Sequence, residues 1–164
     1  MIQKFSGRLW KLRDDIDTDI IMPTQYLSLP TLEEMAPHAF EPLRPELAAL
    51  IRPGDIIVGG KNFGCGSSRE QAAAVLVTIG IRCVIAKSFA RIFFRNAINN
   101  GLLLIESGLY DFCEEGDVAD VEINSRIVCR GRGFMIPKIP DDLLKILDGG
   151  GLVRSMKKLN GILD

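Results

Sequence analysis

Apolar and polar residues alternate near the start of the chain, and further along the apolar residues gather into short uninterrupted runs. Residues 5–12 alternate, which is typical of a strand with one face on the core and the other toward water. Residues 56–58, 84–86 and 102–105 are wholly apolar, which favours strands buried on both faces. The pattern therefore predicts a half-buried opening strand and a set of fully buried strands after it.

Two helical segments separate the apolar runs. Residues 68–78 include consecutive alanines at 72–74, a composition that favours helix, and Gly80 suits the end of such a helix. A second helical segment covers about residues 89–99 and ends before Asn100-Gly101. Because strands that alternate with helices form parallel sheets through right-handed crossovers, this part of the chain predicts a parallel sheet.

The final third of the chain returns to alternation. Residues 117–123 and 126–130 alternate on either side of Asn124-Ser125, which predicts a hairpin with a two-residue turn. Residues 141–147 favour a helix that ends at the glycines 149–151. The fold class is therefore mixed α/β, with parallel core strands and added antiparallel strands, and the length predicts a single domain over residues 1–164.

The segment between the opening strand and the first apolar run is polar at its start. Residues 13–19 read as a turn before an apolar strand at 20–22, and Thr31 with Glu34 forms a capping box for a short helix. The aspartates at 15, 17 and 19 have the outline of a calcium loop, but Ile20 stands where that loop requires glycine. Either this is an Asx-rich turn, or Asp19 orients an arginine or a substrate hydroxyl.

Composition excludes several function classes. The chain is 47% hydrophobic and 25% charged, with a net charge of −1, which gives no electrostatic case for binding nucleic acid or an anionic membrane. No apolar run reaches membrane-spanning length, and residues 1–5 lack the apolar core of a signal peptide. We therefore expect a cytoplasmic protein with no membrane partner.

The cysteines and the histidine restrict the chemistry. The 4 cysteines show no zinc or iron–sulfur spacing, so we expect no metal site in this chain. Cys83 lies in an apolar run and is expected to be buried, whereas Cys65 lies in a glycine-rich segment and is either a reactive thiol or inert. His38 is the one histidine, which argues against Ser-His and Cys-His nucleophile schemes, and we interpret it as structural.

The most informative segment is Asn62-Phe63-Gly64-Cys65-Gly66-Ser67-Ser68-Arg69-Glu70-Gln71. Its glycines allow a ligand to approach the backbone closely, and a helix that begins here would offer N–H groups and a positive dipole end to an anion. Arg69 adds a forked donor that suits a carboxylate. A purely structural interpretation also fits, because Ser67 with Glu70, and Ser68 with Gln71, have capping-box spacing. The dinucleotide fingerprint fails because Arg69 stands where its third glycine should be.

Four motifs occur in order along the chain at spacings found in one known family. They are Asp17-Thr18-Asp19-Ile20-Ile21, the segment Asn62–Glu70, Ala86-Lys87-Ser88-Phe89-Ala90-Arg91-Ile92-Phe93, and Asn99-Asn100-Gly101-Leu102. Together they resemble the small subunits of 3-isopropylmalate dehydratase, which are short forms of the swivelling β/β/α domain of the aconitase superfamily. Gln71 replaces the histidine common in Ser-Arg-Glu-His versions, which resembles the short archaeal-like branch.

The resemblance implies a hydro-lyase that moves a hydroxyl group between adjacent carbons of a malate derivative. It implies a separate large subunit that holds a [4Fe–4S] cluster through three cysteines of its own, and no cofactor in this chain. One iron of that cluster would bind substrate hydroxyl and carboxylate oxygens as a Lewis acid.

The resemblance also implies roles for individual residues. Ser67 matches the catalytic base, which removes the proton from the carbon beside a carboxylate, and Asp19 matches an active-site aspartate. Arg69 matches the residue that binds a substrate carboxylate, and Ser68 and Gly66 belong to the same substrate-binding turn.

The loop 26–29 matches the part of the family's site that reads the variable group of the substrate. Ser28 and Leu29 offer no positive charge for a third carboxylate, so we expect an apolar substituent such as isopropyl or methyl. Isopropylmalate, citramalate and dimethylmalate stay open, because one methylene discriminates by only about 1–3 kcal/mol. A homoaconitase-type substrate stays open as well, as does a carboxylate-binding module without chemistry. Leu27, Leu29 and Phe63 flank the site and either contact a partner or pack in the core.

Overall fold

Parallel strands form one half of the sheet. They are β1 (Lys4–Lys11), β2 (Ile56–Gly59), β3 (Cys83–Ala86) and β4 (Leu103–Glu106). The computed structural model describes residues 3–162, and in it β2, β3 and β4 are buried along nearly their whole length. Their apolar runs are therefore explained by cover on both faces.

The other half of the sheet is antiparallel. It consists of β5 (Val118–Glu122), β6 (Arg126–Cys129) and β7 (Arg132–Met135). The seven strands lie in the order β4-β3-β2-β1-β5-β6-β7. β1 joins the two halves, because it pairs in parallel with β2 and antiparallel with β5. The predicted mixed α/β class, with a parallel core and added antiparallel strands, is confirmed.

Helices fill the connections. They are α1 (Thr18–Ile21), α2 (Leu32–Met35), α3 (Leu47–Leu50), α4 (Glu70–Thr78), α5 (Arg91–Asn99), α6 (Asp141–Asp148) and α7 (Leu152–Leu159), with 3₁₀ turns at Thr24–Tyr26, Ala36–His38 and Gly108–Asp111. The predicted helices at 68–78, 89–99 and 141–147 correspond to α4, α5 and α6. Thr31 caps α2 as expected, because its hydroxyl accepts a hydrogen bond from the Glu34 N–H.

Two apolar cores lie on opposite faces of the parallel strands. On one face Trp10, Ile57 and Val84 pack against α4, α5 and the segments between β1 and β2. On the other face Leu9 and Ile85 join a core that also contains residues of β5 and β6, because the sheet curls over itself. The alternation along β1 matches this arrangement, since Leu9 and Trp10 point into different cores.

One expectation for local structure was wrong, two elements were missed, and one open alternative is settled. Residues 18–21 form the helical turn α1 where we expected a turn and then a strand, because the Asp17 carboxylate accepts from the Ile20 N–H and caps a helix. The edge strand β7 and the helix α7 were not predicted. Phe63 is completely buried, so it is a core residue and not a surface for a partner.

Among residues 3–162, no helix combines the length and the apolar character needed to cross a bilayer.

Candidate active site

Two loops meet beyond the carboxyl ends of β1 and β2. The Gly64 N–H donates to the Ile16 carbonyl oxygen at 2.7 Å, and the Thr18 N–H donates to the Cys65 carbonyl oxygen at 2.9 Å. These hydrogen bonds continue the parallel pairing of the two strands past their ends, with Asp17 opposite Cys65. The aspartate-rich motif and the glycine-rich motif therefore lie side by side at the carboxyl ends of the parallel strands, which is where parallel α/β folds bind ligands.

The segment Ala86–Phe93 makes hydrogen bonds to the start of the glycine-rich turn. The Phe63 N–H donates to the Ser88 carbonyl oxygen at 3.0 Å, and the Ala90 N–H donates to the Phe63 carbonyl oxygen at 3.0 Å. The Ser88 hydroxyl oxygen also accepts from the Asn62 N–H at 2.8 Å. The segment 87–90 therefore fixes the start of the glycine-rich turn through backbone bonds that a sequence motif alone does not reveal.

The glycine-rich turn requires glycine for two different reasons. Gly64 has φ +82°, and a Cβ atom there would collide with the ring of Phe93. Gly66 has φ +94°, but a Cβ atom there would find Thr18 Oγ1 at the ordinary contact distance of 3.4 Å. Gly64 thus combines an unfavourable backbone angle with close packing, whereas Gly66 is restricted by its backbone angle.

Ser67 is exposed at the end of this turn, and its side chain does not cap the helix. α4 begins at Glu70 with Arg69 as its N-cap, and no side chain makes the capping hydrogen bond there. The capping boxes predicted for Ser67 with Glu70 and for Ser68 with Gln71 are therefore absent, because the helix starts later than their spacing assumes. Ser67 Oγ instead lies 3.1 Å from Thr18 Oγ1, which also donates to the Ser67 carbonyl oxygen at 3.2 Å.

Arg69 is held by oxygen atoms from the segment that follows β1. Its guanidinium forms an ion pair with Asp19, and it donates to the Thr24 hydroxyl at 2.9 Å and to the Met22 carbonyl oxygen at 3.3 Å. The Thr24 hydroxyl donates in turn to Asp19 at 2.9 Å. The Arg69 side chain is 18% exposed, and these three contacts restrict its position.

The charge of Asp19 depends on this arrangement. The hydrogen bond from Arg69 lowers the pKa of the Asp19 carboxyl, and the Thr24 hydroxyl lowers it further. Both features of the segment are thus present, because Asp17 caps α1 as in an Asx turn and the Asp19 carboxylate contacts the Arg69 guanidinium.

The remaining predicted site residues lie on two separate segments of the chain. Ser68 and Gly66 are exposed on the same turn as Ser67, and the Ser68 carbonyl oxygen accepts from Asn96 at 3.4 Å. Ser28 is exposed and Leu29 packs partly on the core, just after the 3₁₀ turn that begins with Thr24. In the part of the chain that the structure describes, no hydrogen bond joins Ser28 or Leu29 to Ser67 or Arg69.

The 3₁₀ turn Thr24–Tyr26 has its own anchor. The rings of Tyr26 and His38 stack with centroids 3.7 Å apart, and Glu41 accepts from the Tyr26 hydroxyl at 2.8 Å. Glu41 also lies 2.8 Å from His38 Nδ1, and the two hydrogen bonds, that of Tyr26 first, lower the pKa of the Glu41 carboxyl. The position of His38 agrees with a structural role.

Cys65 is a poor candidate for a reactive thiol. Desolvation raises its pKa, and the nearby carboxylates Asp17 and Asp15 raise it further. A reactive cysteine needs the opposite environment, in which positive charge stabilises the thiolate.

The other cysteines are buried in the sheet region. Cys83, Cys113 and Cys129 contribute to the core between the two halves of the sheet. Among residues 3–162, no three side chains of His, Cys, Asp or Glu converge as metal ligands.

Two functional candidates were not singled out from the sequence. Thr18 lies inside the aspartate-rich motif, so a signal was present, but the spacing did not show that its hydroxyl reaches Ser67. Thr24 gave no signal, because its contact with Arg69 exists only when the loops after β1 and β2 meet.

The class of this protein is defined where the two loops meet. It is that of a mixed α/β domain whose parallel half carries a serine and an ion-paired arginine on one glycine-rich turn. The family described as the Aconitase C-terminal domain matches residues 51–108, a range that begins before β2, includes Arg69 and ends after β4.

Closely similar proteins specify the family. A 3-isopropylmalate dehydratase small subunit from Lachnospira eligens is 64% identical over 163 residues, which cover 99% of this chain and 99% of that relative. The isopropylmalate/citramalate isomerase small subunit of Methanocaldococcus jannaschii is 46% identical and covers 93% of this chain and 92% of its own length. A crystal structure of 3-isopropylmalate dehydratase (leuD) from the same organism superposes with a TM-score of 0.91 at 40% identity, covering 97% of this chain and 96% of that one. The chain belongs to the family of 3-isopropylmalate dehydratase small subunits.

Proposed function

We propose that this chain is the small subunit of a hydro-lyase that interconverts 2-isopropylmalate and 3-isopropylmalate in leucine biosynthesis. The observation that carries the proposal is the turn that presents Ser67 to solvent with Arg69 held two residues later by Asp19 and Thr24. A base and a carboxylate-binding group on one rigid turn are what proton removal beside a carboxylate requires.

Ser67 would act as the base in an elimination. As an alkoxide, its Oγ takes the proton from the carbon beside a substrate carboxylate. The electron pair of that C–H bond forms the C=C bond, and the hydroxyl group on the adjacent carbon leaves with its own bonding pair. Rehydration adds the proton and the hydroxyl group back with their carbons exchanged, and Ser67 returns the proton.

An alkoxide needs hydrogen-bond donors, and the turn supplies them. Within the described residues, the backbone N–H groups of 66–69 donate no hydrogen bond to the protein. They lie just before the N-terminus of α4, where the dipole of the helix favours negative charge. These donors can therefore stabilise the charge on Ser67 or on a substrate carboxylate.

Arg69 would hold the carboxylate beside the reacting carbon. Asp19, Thr24 and the Met22 carbonyl oxygen orient the guanidinium before the substrate arrives, so little freedom is lost on binding. Asp19 thus contributes to the site by positioning Arg69, which is the role we assign to it in place of direct proton transfer.

The rest of the active site would come from a large subunit. The [4Fe–4S] cluster expected there would supply a Lewis acid for the departing hydroxyl group. The Ser67–Arg69 turn lies on the surface of this chain, which supports a site that is completed between two subunits.

The apolar substituent of the substrate would face the turn that contains Ser28 and Leu29. Neither residue can neutralise a third carboxylate, and Leu29 presents apolar surface, which disfavours tricarboxylic substrates. The proposed partners are thus a small hydroxy dicarboxylic acid and the large subunit, in the cytoplasm.

The test is a substrate panel on this chain mixed anaerobically with the cluster-reconstituted large subunit of the same organism. The panel contains isopropylmalate, citraconate, dimethylmaleate and homoaconitate. We expect kcat/KM to be greatest for isopropylmalate, with no turnover of homoaconitate.

Different results would contradict defined parts of the proposal. Turnover of homoaconitate would show that the apolar role of Ser28 and Leu29 is wrong. A preference for citraconate or dimethylmaleate would retain the hydro-lyase and change its substrate. Binding of dicarboxylates without turnover of any of them would favour the carboxylate-binding module.

A further inference from the structure

We infer that the hydroxyl group of Thr18 is a further part of the proton-transfer machinery, because it positions Ser67 Oγ and donates to it when Ser67 is deprotonated. The inference rests on the proposed role of Ser67 as the base and extends it to a residue on a different loop. Thr18 is the first residue of α1. It contacts the glycine-rich turn because the loops that follow β1 and β2 lie side by side.

The geometry places one hydroxyl group against two oxygen atoms of the same serine. Thr18 Oγ1 lies 3.2 Å from the Ser67 carbonyl oxygen and 3.1 Å from Ser67 Oγ. Thr18 is only 2% exposed, whereas Ser67 is exposed. The hydroxyl of Thr18 therefore reaches the base from the protein side and leaves the opposite side of Ser67 open to substrate.

The hydroxyl group of Thr18 can donate its hydrogen bond to either of two acceptors, the Ser67 carbonyl oxygen or Ser67 Oγ. When Ser67 is neutral, Thr18 donates to the Ser67 carbonyl oxygen, and Ser67 can donate to Thr18. When Ser67 is an alkoxide, it has no proton to donate, and the Thr18 hydroxyl turns to donate to it. Thr18 keeps its proton throughout, so the only proton that moves is the one between the substrate carbon and Ser67.

This hydrogen bond should favour the charged form of Ser67. A hydrogen bond to an ionised oxygen is about twice as strong as one between neutral groups. The donor is buried and already in place, so it needs no rearrangement of solvent when charge develops on Ser67. Removal of the hydroxyl should thus affect the chemical step more than the binding of substrate.

The junction between the loops does not depend on this hydroxyl. The backbone N–H of Thr18 already donates to the Cys65 carbonyl oxygen at 2.9 Å, and the Asp17 carboxylate caps α1 independently. A side chain that served only to tie the loops together would therefore duplicate bonds that the backbone provides.

The experiment compares Thr18→Val with Thr18→Ser in the complex with the large subunit. Valine keeps the shape and removes the hydroxyl, and serine keeps the hydroxyl. We expect Thr18→Val to lower kcat by about 10²- to 10³-fold, as loss of one donor to an oxyanion does, with KM within about twofold. In Thr18→Val, the primary deuterium isotope effect on kcat should rise when the substrate carries deuterium on the carbon that loses its proton. The variant Thr18→Ser should have a kcat within about threefold of the wild type.

Two controls remove other hydroxyl groups, one within the site and one outside it. Thr24→Val removes the hydroxyl between Asp19 and Arg69, so it should raise KM and leave the isotope effect unchanged. Thr78→Val removes a hydroxyl that donates within α4, and it should leave both parameters unchanged. Thermal unfolding and gel filtration report whether each variant folds and joins the complex, and Thr18→Ala replaces Thr18→Val if valine does not fit.

The outcomes separate this inference from the proposed function. Unchanged kcat in Thr18→Val overturns the role of Thr18 while the wild-type complex remains an active hydro-lyase. A rise in KM with an unchanged isotope effect, as expected for Thr24→Val, would show that Thr18 acts only on the carboxylate-binding loop. An inactive wild-type complex would instead remove the proposed function and this inference together.

Discussion

At the residue scale, Asp19 fixes the orientation of the Arg69 guanidinium. Its carboxylate is 62% exposed, so its ion pair with Arg69 contributes little to the stability of the fold. Its effect is local, because it fixes the direction of the guanidinium that would receive a substrate carboxylate. The interaction therefore belongs to binding and not to folding.

The ion pair predicts a definite dependence on pH. Because Arg69 and then Thr24 lower the pKa of Asp19, the interaction is fully formed above the ordinary value of 3.8 and is lost only as pH falls through the lowered pKa. An NMR titration of ¹³C-labelled aspartate, from about pH 7 to about pH 2, should place the midpoint of Asp19 below the ordinary value of 3.8. Arg69→Met should raise the pKa of Asp19 more than Thr24→Val does, and a wild-type midpoint at or above the ordinary value would contradict the ion pair.

At the residue scale, the sequence singled out positions where the chemistry of the side chain is itself distinctive. The fork of Arg69 and the carboxylate of Asp19 were identified as candidates from residue type and motif. Ser67 fitted two patterns, a base and a helix cap, and local spacing could not separate them. The structure excludes the helix cap, because α4 begins at Glu70 and Ser67 Oγ lies beside Thr18 Oγ1, and the role as a base stays a prediction.

At the scale of elements, the glycine-rich turn is fixed by the helix that follows β3. Phe93 of α5 fills the space next to Gly64, and it packs with its ring centroid 5.5 Å from that of Phe63. The turn that carries Ser67 is therefore held by aromatic packing on one side and by the loop after β1 on the other.

Gly64→Ala tests this packing against a matched control. Gly116 has φ +90° and no atom within 4 Å of the point where a Cβ would lie. Gly116→Ala should therefore lower the unfolding free energy only through its backbone angle, by about 1–2 kcal/mol. Gly64→Ala adds a similar penalty and a collision with Phe93, which should cost about 1–3 kcal/mol more. Urea unfolding measures both variants, and equal losses of unfolding free energy would show that Phe93 does not restrain the turn.

Elements were predictable where burial imposed a pattern. The runs in β2, β3 and β4 are apolar because both faces are covered. β7 escaped prediction because it is an exposed edge strand that contains Gly133 and has only Phe134 partly buried. α7 begins directly after glycines that read as the end of the preceding helix, and its apolar residues Val153 and Met156 are exposed.

At the scale of the whole molecule, the position of β1 decides where the site forms. β1 lies between the parallel and antiparallel halves, so the loop that follows it lies beside the loop that follows β2. The sequence predicted both kinds of strand, but their order in the sheet depends on long-range pairing that periodicity does not encode. For the same reason, the contacts of Thr18 and Thr24 appeared only in the folded chain.

The most direct test of the central claim is the activity of Ser67→Ala in the complex with the large subunit. Ser67 is exposed and caps no helix, so alanine should leave the fold and the assembly intact, as thermal unfolding and gel filtration would show. We predict that kcat for isopropylmalate falls by at least about 10³-fold, since the methyl group of alanine cannot accept the proton. A Ser67→Ala complex that turns over isopropylmalate at a rate near that of the wild type would contradict the account.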